Sequence, residues 1–151
     1  MRLNFCTCKP CLFLLIFLAI PYILSAQTPA VEFETLLNAD VVTYAQASRF
    51  VLDAAQVSEK GEAFEYAVSQ GWLPENTGAE DAAQLDKIAL LLARAFDING
   101  GLLYSLTKNS RYAYRELKYK NVIQGRVDSS MPVSGERLVF YVNRLLTQVK
   151  E

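Results

Sequence analysis

From Asp40 onward the apolar residues of this chain recur at helical spacing. Ala47, Phe50, Val51 and Ala54 stand at i, i+3, i+4 and i+7 and predict a helix over residues 44–55, with Thr43 as its N-cap. Ala63, Phe64, Ala67 and Val68 predict a second over 60–70, stopped by Gly71, after which Trp72, Leu73 and Pro74 form a turn that packs inward. A third, over 82–96, carries Leu85, Ile88, Ala89, Leu91, Leu92 and Ala95 on more than one face and should be central, with Gly100 and Gly101 supplying the left-handed residue that closes it. Beyond a link over 102–110, a fourth helix covers 111–120 and a fifth covers 135–149, with Ser134 as its cap. Residues 27–39, which include Pro29, read as a short polar lead-in. The fold class this predicts is all-α, a compact bundle of helix-loop-helix units. Its core is expected to come from Phe50, Phe64, Trp72, Ile88, Leu92, Leu117, Ile123, Leu138 and Val142.

The start of the chain follows a different pattern. Residues 11–23 (CLFLLIFLAIPYI) are uncharged and follow Arg2 and Lys9, and Leu24, Ser25 and Ala26 are small or apolar residues where a signal peptidase would cut. The run is too short for a membrane span of about 20 residues and is broken by Pro21. Residues 1–26 are therefore expected to be a signal peptide cleaved after Ala26, which makes the protein an exported one of the periplasm or cell surface. Membrane attachment would arise only through an uncleaved signal segment.

Comparison of the chain with itself gives the domain layout. Ala63-Phe64 matches Ala113-Tyr114, Trp72-Leu73 matches Val122-Ile123, and Ile88, Leu92 and Arg94 match Leu138, Val142 and Arg144, all at an offset of 50. A constant offset across two helices and their loop is the mark of a repeated unit. The domain over 40–151 is thus expected to hold a partial unit at 40–57, a unit at 60–98 and a unit at 109–149. VTYAQASRFVL aligns with VSGERLVFYVN without gaps, so the partial unit is the second half of one whose first half is missing.

Residues 111–146, RYAYRELKYKNVIQGRVDSSMPVSGERLVFYVNRLL, resemble the S-layer homology repeat. They share an aromatic-Ala helix start, a small-residue stop before two apolar residues, a Gly, a turn with Asp, an apolar-Pro-apolar-Ser cap and a final amphipathic helix. Residues 62–96 match more weakly, and 42–55 match the last helix alone. The resemblance implies a small helical bundle of divergent repeats that grips cell-wall polysaccharide without covalent bonds. In that family the final helix usually starts Ile-Thr-Arg-Ala-Glu, and its arginine contributes to the polymer groove. Here Tyr44, Leu85 and Gly135 stand at the three arginine positions, and Gln46, Lys87 and Arg137 at the glutamate positions. Support for the fold is therefore stronger than support for the ligand.

Composition narrows the chemistry. The chain has no histidine, and its three cysteines, Cys6, Cys8 and Cys11, all precede the expected cut. The commonest general base, the usual zinc ligands and the thiol nucleophile are thus missing from the mature portion. Without Arg2 and Lys9, 13 basic residues face 16 acidic ones, a net charge of about −3 at which a general affinity for nucleic acid is not expected. The glutamates Glu59, Glu62 and Glu65 lie on one helix, and Glu80, Asp81 and Asp86 near one exposed loop, where hydrolysis by two carboxyls would need them across a cleft. Asp97-Ile98-Asn99-Gly100 echoes a calcium loop, but Lys108 stands where a bidentate Glu belongs. No metal, cofactor or catalytic residue is expected.

The charge is unevenly spread. Lys108, Arg111, Arg115, Lys118, Lys120 and Arg126 face only Glu116 in their stretch, whereas residues 32–97 are strongly acidic. On the fourth helix Arg111, Tyr112, Arg115, Lys118 and Tyr119 interleave cation and aromatic ring, a combination suited to stacking and to pairing with anionic groups. These five are the expected contact residues for a wall polysaccharide or an envelope protein. An alternative is a structural subunit of an envelope assembly without polysaccharide affinity, in which a second copy or a partner completes the first unit.

Overall fold

The computed structural model describes residues 28–57 and 61–149. The expected signal peptide, with Cys6, Cys8 and Cys11, lies outside the described residues, as do Glu59 and Lys60. The chain divides into two compact units, Met1–Thr35 and Leu36–Glu151, and the packing described below belongs to the second.

Seven helices make up the described chain: α1 (Thr28–Leu37), α2 (Tyr44–Ala54), α3 (Ala63–Ser69), α4 (Leu85–Ala95), α5 (Leu102–Thr107), α6 (Ser110–Tyr119) and α7 (Gly135–Val149). Among the described residues there is no strand longer than an isolated bridge, and the protein is all-α. No helix there is long and apolar enough to cross a membrane.

The expected elements form, the second starting only at Ala63, with four further differences. The stretch read as a polar lead-in is helical from Thr28, because Pro29 sits in the first turn, where its missing N–H is one the helix leaves unpaired anyway. The link after Gly101 contains α5. Residues 82–84 are extended, and the third helix starts at Leu85. Finally, Asp97 takes the left-handed conformation after α4, with φ 46, and Gly101 has an ordinary φ of −62.

Four helices end in the same way. After α2, α3, α4 and α6 a single left-handed residue, Gln56, Gly71, Asp97 or Asn121, is followed by an apolar one whose N–H reaches back to the last turn. These bonds run from Val57 to Leu52 O (3.0 Å), Trp72 to Ala67 O (2.8 Å), Ile98 to Ala93 O (2.9 Å) and Val122 to Leu117 O (2.9 Å). This is the Schellman closure, which satisfies the terminal carbonyls and turns an apolar side chain back over the helix.

At the centre the backbone forms a closed ring. The N–H of Val42 donates to Val133 O, that of Val133 to Ala83 O, and that of Ala83 to Val42 O, each at 2.9 Å. All three residues are buried, so the ring pairs groups that would otherwise be lost to solvent in an apolar interior. Each stands two residues before a helix start, at Tyr44, Leu85 or Gly135, and so launches α2, α4 and α7 from one point. Thr43 adds a reciprocal cap to α2, its hydroxyl accepting from Gln46 N–H while the Gln46 side chain accepts from Thr43 N–H.

The core contains Ile88, Leu92, Leu117, Ile123, Leu138 and Val142, all buried as expected. Phe50, Phe64 and Trp72 are only half-buried against it. The larger share of the interior comes from aliphatic residues: Leu73, Leu85 and Leu91 are buried as their places in the inward turn and the central helix predict, and Leu52 and Leu145 join them. Among the pairs 50 apart, Ala63 and Ala113 are both buried, as are Ile88 and Leu138, whereas Trp72 is half-buried and Val122 is buried.

Three tyrosines complete the core and make it alkali-sensitive. Burial raises the phenol pKa of Tyr44, Tyr104 and Tyr141 above the ordinary 10.0. The folded chain therefore keeps these protons at a pH where the unfolded chain releases them. Stability from this source is full below pH 10 and declines as pH rises above it. Thermal melts should show a steady Tm up to about pH 10 and a fall beyond, and the fall should be smaller in Tyr44→Phe. An equal fall in that variant would contradict the assignment.

Candidate functional site

Helix α6 owes its position to three ties. The Asn109 side chain accepts from Arg111 N–H at 3.0 Å and starts the helix one residue earlier than expected. The Ser110 hydroxyl donates to Asp86 on α4 at 3.1 Å, and Ala113 and Leu117 are buried on the inner side. Opposite that side, at ~100° per residue, Lys118, Arg111, Arg115, Tyr119 and Tyr112 follow one another around about a third of the helix circumference. The five residues singled out in the sequence therefore share one continuous strip. Arg111, Arg115, Lys118 and Tyr119 are exposed, Tyr119 by 83%, and Tyr112 is half-buried.

The electrostatics of the strip leave its cations available. Glu116, the only acid of the helix, is turned aside: one carboxylate oxygen accepts from Gly101 N–H at 3.0 Å and the other lies 3.9 Å from Lys120 Nζ. Lys118 Nζ lies 5.8 Å from the centre of the Tyr114 ring, whose hydroxyl donates to Val127 O. Among the described residues, no ion pair engages Arg111 or Arg115.

Two of the acidic residues near the loop have local structural duties. Asp81 accepts from Gly78 N–H at 2.8 Å within its turn, and Asp86 accepts from Lys87 N–H and from Ser110. No group of three or more potential metal ligands occurs among the described residues.

Sequence reasoning did not anticipate two shallow hollows of about 300 Å³ each beside α7. One is lined by Asn121, Gln124, Arg144, Thr147 and Gln148, the other by Gln124, Val127, Arg137 and Phe140 with their neighbours. The Arg144 guanidinium lies 4.8 Å from the Phe140 ring centre and donates to Asn121 O. The i, i+4 spacing of Phe140 and Arg144 was a usable signal for their contact. Nothing in the sequence told that the loop over 121–127 would lie beside them.

Tyr44, Leu85 and Gly135 are closed to solvent. Tyr44 and Leu85 are buried to 1% exposure, and the Tyr44 hydroxyl accepts from Gln84 N–H at 3.0 Å. Gly135 lies under the main chain of Leu36, whose carbonyl oxygen would be 1.6 Å from a Cβ added there. Comparison with known proteins finds no matching family model, curated protein or solved structure.

Proposed function

We propose that this chain is an exported, non-catalytic binding protein of the cell envelope that holds a wall polymer or an envelope partner through the outer strip of α6. The observation that carries this reading is the strip itself: three exposed cations and two tyrosines on one helix face, with the single local acid turned away. Guanidinium groups and phenol rings in alternation suit a long, anionic partner better than a small molecule.

The reading of the fold as divergent S-layer homology repeats draws support from the matched helix ends at Ala67 and Leu117 and from the ring of Val42, Ala83 and Val133. Tyr44, Leu85 and Gly135 are buried, so the polymer groove that the family builds with arginine is not the contact proposed here. The absence of histidine and of cysteine beyond position 11 supports a binding role over a catalytic one. The alternative of a subunit completed by another copy has less in its favour, because α2 packs against α3 and α4 of its own chain.

Pelleting with purified cell wall tests the proposal. The protein should sediment with the wall, and Arg111→Ala combined with Arg115→Ala should abolish most of that sedimentation. Folding stability should change by no more than about 0.5 kcal/mol, since both side chains are exposed. Undiminished pelleting of the pair would remove α6 as the contact. A stable oligomer without wall affinity would favour the structural-subunit reading.

A further inference from the structure

Helix α5 presents its apolar residues to solvent. Leu102, Leu103 and Leu106 are 75%, 55% and 74% exposed, and at ~100° per residue they lie side by side on the helix. Tyr104 projects from the other side and is buried, its ring against Gly100, so the leucines are held outward by a fixed anchor. Three adjacent exposed leucines on a six-residue helix form a protruding patch of the kind that marks an interaction site.

The surroundings of the patch indicate what covers it. Gly101, at the start of α5, donates to Glu116 of α6, which sets the patch beside the flank of α6 that carries Tyr112 and Tyr119. Beyond that flank come Arg115 and Arg111, and Lys108 follows α5 directly. Protruding leucines, a tyrosine exposed by 83% and a cluster of cations thus occupy one region of a chain whose residues 32–97 are strongly acidic. A bilayer bearing anionic headgroups complements all three, since it takes leucine into the acyl boundary, tyrosine at the interface and cations at the phosphates. Either signal alone binds weakly, and the two together suffice for a reversible attachment.

We infer that α5, with Lys108 and the adjoining cations of α6, docks this protein on an anionic phospholipid surface, lying on it and not crossing it. This goes beyond the wall-binding reading and does not depend on it, because its apolar half uses residues outside the α6 strip.

The test is partition of the full chain onto vesicles of phosphatidylcholine alone and of phosphatidylcholine with about 30% phosphatidylglycerol. The protein should favour the anionic vesicles by at least tenfold, and raising the salt should weaken that preference. Leu102→Ser with Leu106→Ser should lower the affinity at least tenfold while leaving the thermal transition and wall pelleting unchanged. In a second measurement, a Leu103→Trp variant should be quenched by brominated lipid, which reads contact at α5 whatever else attaches the chain. Equal partition of the serine pair, or absence of quenching, overturns the inference. So does a dimer that the serine pair dissolves when no vesicle binding is seen.

Discussion

Gly135→Ala should cost the fold about 3 kcal/mol or more, the upper range for forcing extra atoms into a packed interior. The added Cβ would stand 1.6 Å from the carbonyl oxygen of Leu36 and 2.6 Å from its carbon, so backbone meets backbone and no rotamer change relieves it. Gly135 N–H also donates to Ala39 O at 2.9 Å, which ties the segment over 36–39 to the start of α7. The segment must move away, exposing the buried Leu36, or the start of α7 must unwind. Gly101→Ala is the control. Its φ is −62 and its nearest neighbour, Glu116, is 3.5 Å away, so the change should stay within about 1 kcal/mol. Denaturant melts of the two variants check both values, and similar stabilities would show that Leu36 does not lie on Gly135.

Ile88→Asp and Leu138→Asp should each abolish cooperative folding. Both residues have 0% exposure, and they occupy the same position on α4 and α7. A carboxylate there loses its water without gaining a partner, and the aliphatic contacts vanish as well; together these cost about 4–5 kcal/mol or more. Domains of this size have about 5–15 kcal/mol of stability in all, so a loss of this size removes a third of it at the upper end of that range and all of it at the lower end. A retained thermal transition in either variant would mean that the corresponding helix does not face the core.

Helices with a regular apolar stripe were legible because the stripe is what buries them: α2, α4 and α7 all carry one. What failed was local. Residues 27–39 read as a polar lead-in, yet Pro29 stands in the first turn of α1, and α5 is too short to show a period. Glycines were assigned to the end of α4 by preference, yet Asp97 adopts the left-handed conformation there, as Asn121 does after α6. The central ring was illegible in principle, for Val42, Ala83 and Val133 are joined through main-chain groups that no side-chain pattern encodes. The α6 strip could be read because one helix carries all five residues. The hollows beside α7 needed the meeting of a helix with a distant loop.

The claim that most rests on, that this is an exported envelope-binding protein, is tested most directly by fractionating cells that produce the full chain and determining the mass of the product. The expected result is a product starting at Gln27 that sediments with the wall-containing envelope and is released from it by Arg111→Ala with Arg115→Ala. A full-length chain recovered in the cytosolic supernatant would contradict both the export and the binding role.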